Sequence, residues 1–145
     1  MTNSKDIFLG IDGGGTKCKA RLEDAHGNLL AEATSGPANV ARNLPDSIKA
    51  IIEASEKAVS KANIQGLSLN QIYAGIGLAG INIPHVKQAF LKQSLPFAQW
   101  KVTTDLHIAC LGAHLGKDGA IVIVGTGSSG VAILNNQQFE IGGHG

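Results

Sequence analysis

The stretch Ile7–Thr16 constrains the fold more than any other part of the sequence. An apolar run ends at Asp12, three glycines follow, and Thr16 then adds a hydroxyl. Apolar and polar residues alternate after Thr16, which predicts a second strand and therefore a β-hairpin that bends at the glycines. The stretch is not a Walker A loop, because Thr16 precedes Lys17 and because the turn opens a strand rather than a helix.

Two interpretations of this turn are open. Glycine permits positive φ angles and close approach to a ligand, so the backbone N–H groups of Gly13, Gly14 and Gly15 could cradle a phosphate together with the hydroxyl of Thr16. Asp12 could then hold Mg²⁺ through a water molecule. The alternative is an ordinary glycine-rich hairpin turn that binds no ligand.

Composition excludes several classes of partner. The 145 residues are 43% hydrophobic and 16% charged, with a formal net charge of +1, so nothing indicates a nucleic-acid or membrane-surface partner. Cys18 and Cys110 form no paired motif, and the N-terminus lacks the long apolar segment of a signal peptide. We therefore expect a globular cytoplasmic protein with free thiols and with no nucleic-acid or membrane partner.

The periodicity of apolar residues predicts an α/β chain. Three strands joined as an antiparallel meander come first, followed by an amphipathic helix that begins at Pro45. Two strand–helix units and a final strand pair complete the order. The expected bounds are 7–12, 17–24, 28–34, 45–63 (helix), 72–78, 84–93 (helix), 101–104, 106–116 (helix), 119–124 and 131–134.

A second glycine-rich turn has the same features as the first. Gly125, Thr126, Gly127 and Ser128 follow a strongly apolar strand and precede another strand, and they offer backbone N–H groups and hydroxyls. One such turn is weak evidence for a phosphate site. Two strand–turn–strand units, with an acid at a strand end between them, form a much stronger pattern.

The segment Gly75–Gly80 matches the spacing of a dinucleotide-binding loop, but its context does not fit. The next helix is expected to open only at Pro84, and the next acid is Asp105, whereas the dinucleotide fingerprint needs a helix at the glycines and an acid about 20 residues further on. We interpret these glycines as keeping the carboxyl end of a strand free of bulky side chains, at the place where α/β proteins bind ligands.

Two polar residues stand where ligands of α/β proteins bind. Asp105 lies at a strand-to-helix corner, so its carboxylate could be a helix N-cap or a general base, and the sequence leaves both roles open. Asn39 lies in the loop after the third strand. Its amide could contact a sugar hydroxyl or an acyl group, or could serve only to form a turn.

One helix face carries three side chains that ligate zinc in other proteins. His107, Cys110 and His114 share that face by their spacing, but no fourth ligand or second motif is evident. We favour the alternative, in which the histidines lie at the helix surface and the thiol is buried.

These motifs together resemble those of the actin-like ATPase and sugar-kinase superfamily. Ile11–Lys17 looks like its first phosphate motif, and Gly125–Ser128 looks like its second. Within the superfamily, further segments resemble the N-acetylglucosamine and glucosamine kinase branch of the BadF/BadG type. These segments are Gly36–Asn39, Gly77–Gly80, Thr104–Asp105 and Gly142–Gly145. The resemblance covers essentially the whole chain.

The resemblance implies a fold and a domain organisation. Residues 1–117 would form a ribonuclease-H-like lobe with a mixed sheet in the order β-β-β-α-β-α-β-α, and residues 118–145 would form the opening hairpin of a second, similar lobe. Family members have two lobes, with the adenine site in the second. We therefore expect a truncated chain that is inactive alone, whose exposed hairpin edge favours self-association, with a homodimer as one outcome.

The resemblance also implies roles for the matching residues. Asp105 would take the proton from a sugar hydroxyl, and Asn39 and Gly80 would line the sugar together with Asp105. Asp12 would lie near Mg²⁺. The ATP phosphates would contact the two glycine turns, namely Gly13, Gly14, Gly15, Thr16, Gly125, Thr126, Gly127 and Ser128.

The function that the resemblance implies is an ATP-dependent hexosamine kinase. It would use Mg²⁺–ATP to phosphorylate the 6-hydroxyl of N-acetylglucosamine or glucosamine. Two alternatives remain: an ATPase that activates an iron–sulfur dehydratase or reductase, and a sugar-binding regulator without catalysis. The positions of Cys18 and Cys110 do not suggest cluster ligands, and Asp105 argues against a regulator that performs no catalysis.

Overall fold

The computed structural model describes residues 5–114, 116–124 and 128–142, which form two compact units, Met1–Thr104 and Asp105–Gly145. The elements follow the predicted order, with one short 3₁₀ turn at Leu69–Gln71. The elements are β1 (Ile7–Gly13), β2 (Cys18–Asp24), β3 (Leu29–Ser35), α1 (Leu44–Ala62), β4 (Ile72–Leu78), α2 (Pro84–Leu91), β5 (Gln99–Thr104), α3 (Asp105–Ala113), β6 (Gly119–Val124), β7 (Ser128–Leu134) and β8 (Gln137–Gly142).

The first unit is built on a five-stranded mixed sheet in the order β3-β2-β1-β4-β5. The β1–β2 and β2–β3 pairs are antiparallel, as expected for a meander, and the β1–β4 and β4–β5 pairs are parallel. This arrangement confirms the predicted mixed α/β sheet. It also places β1, which carries Asp12 and Gly13, at the centre.

The core of the first unit lies on one face of this sheet. Leu9 and Ile11 of β1 and Ile76 of β4 are buried there, because alternate residues of a strand point to the same side. Helix α1 covers this face with Ile51 and a run of small residues that includes Ala54. The small residues allow the helix to pack closely on the strands.

Local signals fix where the first two helices begin. Asn43 caps α1, since its side-chain oxygen accepts a hydrogen bond from the N–H of Asp46 at 2.9 Å. Helix α2 begins at Pro84, as predicted, and ends at Leu91, two residues earlier than predicted. Its Phe90 is fully buried and packs edge-on against Trp100, with ring centroids 5.5 Å apart.

The second unit contains an antiparallel sheet in the order β6-β7-β8, together with α3. Cys110 of α3 and Val131 and Ile133 of β7 form its small buried core. The predicted boundary between lobes, after residue 117, stays a prediction.

Three sequence-based expectations for this unit were wrong. Helix α3 ends at Ala113, three residues before the predicted end at residue 116. Strand β7 begins at Ser128 rather than Val131, so Ser128 to Gly130 pair with β6 instead of forming a turn. Strand β8 was missed altogether. Asn135 and Asn136, with φ of 49° and 63°, form the tight turn that reverses the chain into it. Because β8 starts with two polar residues, Gln137 and Gln138, the alternation of apolar and polar residues along it was not recognised.

No helix within the described ranges is long and apolar enough to span a bilayer.

Gly13 is one of the glycines that the packing of the first unit favours. A Cβ at this position would lie 2.5 Å from Leu78 Cδ2 and 3.0 Å from Ala38 Cβ, whereas a Cβ at Gly10 would meet nothing within 4 Å. We expect Gly13→Ala to lower the free energy of unfolding by about 1–3 kcal/mol, because the added methyl group overpacks the core. Gly10→Ala is the matched control and should cause no loss. Urea denaturation measures both, and equal losses would contradict this assignment.

Candidate functional site

The carboxyl ends of three strands meet at one edge of the large sheet. Gly13 at the end of β1 is in register with Leu78 at the end of β4, and Leu78 is in register with Thr104 at the end of β5. Asp105 follows Thr104 directly in the chain. Because α/β proteins bind ligands beyond the carboxyl ends of their parallel strands, this edge is the candidate site.

Backbone hydrogen bonds tie three loops together at this edge. The N–H of Ala79 donates to Gly13 O at 2.8 Å, that of Ala38 donates to Gly14 O at 2.9 Å, and that of Val40 donates to Ala79 O at 3.2 Å. The hairpin turn, the loop 36–43 and the loop after β4 are therefore each bonded to the other two. We call this arrangement the three-loop clasp.

The hairpin turn bends at the predicted glycines, but without the expected positive φ angles. Gly13, Gly14 and Gly15 do not adopt positive φ. The N–H of Gly14 is not free for a ligand, because it donates to Lys17 O at 2.9 Å and closes the turn. Gly13 is a glycine because Leu78 and Ala38 pack against it.

Gly15 and Thr16 are the turn residues that remain open to a ligand. Both are exposed, and no partner for their backbone N–H groups occurs among the residues that the structure describes. A Cβ added to Gly15 would meet no atom within 4 Å, so the protein itself does not require a glycine there. Asp12 is also exposed and lies in register with Gly77 of β4.

Asn39 has the turn-forming role that was one of its two interpretations. Its Oδ1 accepts a hydrogen bond from the N–H of Ala41 at 3.1 Å, and its backbone oxygen accepts from Arg42 at 3.1 Å and Asn43 at 3.2 Å. These bonds do not exclude contact with a sugar, because the amino group of the amide is not used in them.

A cavity of about 260 Å³ joins the hairpin turn to the Asn39 loop. It brings together Gly15 and Asn39, one predicted for phosphate and the other for sugar. Its lining residues are Gly15, Pro37, Asn39, Arg42, Asn43, Asp46 and Ser47. Its volume is below the roughly 300–1,000 Å³ of complete small-molecule sites, so it can hold only part of a ligand.

Sequence reasoning missed the charged residues of this cavity. Arg42 and Asp46 line it, and neither forms an ion pair within the described part of the chain. Their positions in the sequence could have indicated them. Arg42 lies three residues after the candidate sugar contact Asn39, and Asp46 lies in the first turn of α1, which follows the same loop. A larger cavity of about 460 Å³ lies on the sheet around Phe8 and Tyr73, away from the strand ends, so volume alone does not locate the site.

Asp105 is the first residue of α3 in the second unit. Its Oδ1 accepts a hydrogen bond from the N–H of Leu106 at 3.0 Å. Partial burial raises the pKa of Asp105 above its usual range; the backbone hydrogen bonds oppose this shift, and the negative charge of Glu140 adds to it. A carboxylate with a raised pKa is a better proton acceptor near neutral pH.

The three potential zinc ligands, of which His114 lies just beyond the end of α3, have structural partners instead. His114 Nε2 is hydrogen-bonded to Ala120 O at 2.9 Å, Cys110 Sγ donates to Gly119 O at 3.5 Å, and His107 contacts Gln138. These contacts connect α3 and the residue that follows it to β6 and β8. No cluster of three metal-ligating side chains is found within the described ranges.

The second glycine turn falls mostly outside the described residues. Gly125, Thr126 and Gly127 are not among them, and Ser128 is described only as the first residue of β7. Their predicted contacts with phosphate stay predictions.

Comparison with known proteins decides the family. Residues 9–145 match the model of the BadF/BadG/BcrA/BcrD ATPase family. The chain belongs to that family. The resemblance inferred from the glycine turns and from Thr104–Asp105 is thereby confirmed.

The individual relatives are sugar kinases. Glucosamine kinase GspK from Vibrio cholerae is 38% identical over 138 residues, which are 95% of this chain and 47% of that protein. An N-acetylmuramic acid/N-acetylglucosamine kinase from Clostridium acetobutylicum is 31% identical over 83% of this chain and 40% of that protein. The chain thus spans less than half the length of these curated relatives.

A solved structure confirms the fold of this family member. A Chromobacterium violaceum protein described as a candidate N-acetylglucosamine kinase superposes with a TM-score of 0.87 and 33% identity, over 99% of this chain and 50% of that one. The predicted ribonuclease-H-like, actin-like ATPase architecture is therefore confirmed.

The raised pKa of Asp105 has a consequence for stability. The folded state binds the proton of Asp105 more tightly than the unfolded state does. The free energy of unfolding therefore falls as the pH rises from the unfolded-state pKa of Asp105 to its higher folded-state pKa, and it is lowest above the latter. We expect Asp105→Asn to raise the melting temperature at pH 7, with a difference that shrinks toward pH 4. Thermal unfolding at both pH values measures it. A variant less stable than wild type at pH 7 would show that the charge of Asp105 is favourable in the fold.

Proposed function

We propose that this chain is the sugar- and phosphate-binding part of an ATP-dependent hexosamine kinase. The enzyme transfers the γ-phosphate of ATP to the 6-hydroxyl of N-acetylglucosamine or glucosamine. The observation that carries the proposal is the three-loop clasp, because it joins the hairpin turn to the Asn39 loop and gives Gly15 and Asn39 a common cavity. Phosphoryl transfer depends mainly on such positioning of phosphate and acceptor.

The phosphate side of the proposal rests on Gly15 and Thr16. Their exposed N–H groups and the Thr16 hydroxyl donate to ATP phosphate oxygens, and Gly13 and Gly14 shape the turn that presents them. The second glycine turn, Gly125–Ser128, contributes further donors. Asp12 fits a magnesium ion, because a hard cation takes carboxylate and water oxygens, and Mg²⁺ there would neutralise phosphate charge.

The acceptor side of the proposal rests on Asp105. The carboxylate takes the proton of the sugar hydroxyl as that oxygen attacks the γ-phosphorus, and its raised pKa suits the transfer. Asp105 follows Thr104, the last residue of β5, directly in the chain. Asn39 and Gly80 belong to the sugar side.

The names of the relatives support a kinase over the ATPase activator. GspK is named a glucosamine kinase, and the Clostridium relative is named a kinase of two N-acetylated amino sugars. Both cysteines are fully buried, and burial raises the pKa of the Cys18 thiol to about 11. A buried, protonated thiol is a poor ligand for an iron–sulfur cluster. Residues in the rest of a kinase of the relatives' length would hold the adenine.

The proposal includes expectations about the compartment, the partners and the oligomeric state of the enzyme. We place the enzyme in the cytoplasm, with an amino sugar as its partner and without nucleic acid or membrane. A homodimer remains an expectation.

The role of Asp105 can be tested by removing its charge. In the full-length protein we expect Asp105→Asn to lower sugar-dependent ADP release by about 10²–10⁴-fold, because the general base is lost, while the Kd for ATP stays unchanged. Asp118→Asn is the matched control, since it makes the same chemical change in the same unit at a residue that accepts a hydrogen bond from Asn135 N. Turnover at the wild-type rate in Asp105→Asn would refute the base assignment.

The phosphate role of Gly15 can be separated from stability. Because a Cβ at Gly15 meets no protein atom, Gly15→Ala should leave the melting temperature unchanged, yet raise the KM for ATP about tenfold by crowding the phosphates. Gly10→Ala adds a methyl group at an equally open position in mid-strand and should change neither quantity. An unchanged KM for ATP in Gly15→Ala would remove this residue from the phosphate site.

A further inference from the structure

Gly80 is held in a conformation and a space that exclude any side chain. It lies between β4 and α2 with a φ of 84°, which favours glycine. A Cβ there would lie 2.8 Å from Asn39 Oδ1, 2.7 Å from Ala41 Cβ and 2.9 Å from Ala41 N. The three atoms that it would strike all belong to one small turn, and one of them is the amide oxygen of Asn39.

The same turn fixes the orientation of the Asn39 amide. A backbone N–H can donate only to an acceptor, so the bond from Ala41 N identifies Oδ1 as the atom held at 3.1 Å. The amino group is then the part of the amide left for a ligand in the cavity that Asn39 lines. Asn39 therefore presents its amino group to the cavity as a donor, while its Oδ1 accepts the bond from Ala41.

We infer that Gly80 is a positioning residue for Asn39 rather than a direct sugar contact. The absence of a side chain at Gly80 lets the Asn39 amide take the orientation that Ala41 fixes, and the Asn39 amino group then donates to an oxygen of the substrate. The inference rests on the proposed function and revises one expectation from the sequence, that Gly80 itself lines the sugar.

The inference also restricts the substrate group that Asn39 binds. A sugar hydroxyl or an acyl carbonyl offers an oxygen acceptor. The protonated amino group of glucosamine offers only donors, so it cannot accept a hydrogen bond from the Asn39 amino group. If glucosamine is a substrate, the Asn39 amino group binds one of its hydroxyl groups.

A double-mutant cycle in the full-length protein tests the positioning role. The KM values for N-acetylglucosamine, glucosamine and ATP are measured for wild type, Gly80→Ala, Asn39→Ala and the double variant. Each single change should raise the KM for the sugar substrate about tenfold and leave that for ATP within about twofold. The double variant should match Asn39→Ala, because Gly80 acts through a side chain that is already absent.

Gly66→Ala is the control for backbone strain. Gly66 has a φ of 78°, close to that of Gly80, but a Cβ there would meet nothing within 4 Å. It should lose stability as Gly80→Ala does and keep the wild-type KM for the sugar. Additive effects in the double variant, or a KM for the sugar raised equally by Gly66→Ala, would overturn the inference.

Asn39→Asp tests the donor role if Gly80→Ala does not fold. The aspartate keeps an oxygen that accepts from Ala41 N but has no amino group, so the fold should hold while the KM for the sugar rises at least tenfold. A wild-type KM would overturn the inference. No sugar-dependent ADP release from the wild-type protein would refute the proposed function and the inference with it, whereas additivity refutes only the positioning role.

Discussion

The three-loop clasp is the interaction on which the rest of the site depends. Its hydrogen bonds join backbone atoms of Gly13, Gly14, Ala38, Val40 and Ala79, so they hold the loops in place without using any side chain. The clasp therefore leaves the Asn39 amino group and the exposed N–H groups of Gly15 and Thr16 available to a ligand. A Cβ at Gly13 would crowd Leu78 and Ala38 next to these bonds, so the missing methyl group favours the geometry of this edge.

Asp105 sacrifices stability for a reactive group. Partial burial disfavours the charged form of this carboxyl group, which belongs to the second unit. Core positions such as Ile11 show no such compromise, since they are apolar and fully buried. A locally unfavourable charge is typical of a functional site, where ligand contacts compensate for it.

Sequence reasoning was reliable where periodicity and turn formers agree, and weaker where tertiary contacts decide. The order of elements, the bend after Asp12 and the start of α2 at Pro84 all followed from local pattern. The pairing of β8 did not, because a polar strand is defined by its neighbour β7. The reason for glycine at Gly13 depends on Leu78 and Ala38, which are distant in sequence, so no local pattern could indicate it. The bond that orients Asn39 is local, because it comes from Ala41, and it agrees with the turn-forming role that the sequence left open.

The central claim is that this edge binds an amino sugar and ATP phosphates for phosphoryl transfer. The most direct test is ADP release by the full-length protein with Mg²⁺–ATP and, in separate reactions, N-acetylglucosamine, glucosamine, glucose or no sugar. The account predicts release that depends on an amino sugar. Equal release in all four reactions would indicate an ATPase of the activator kind, and no release in any of them would contradict catalysis at this site.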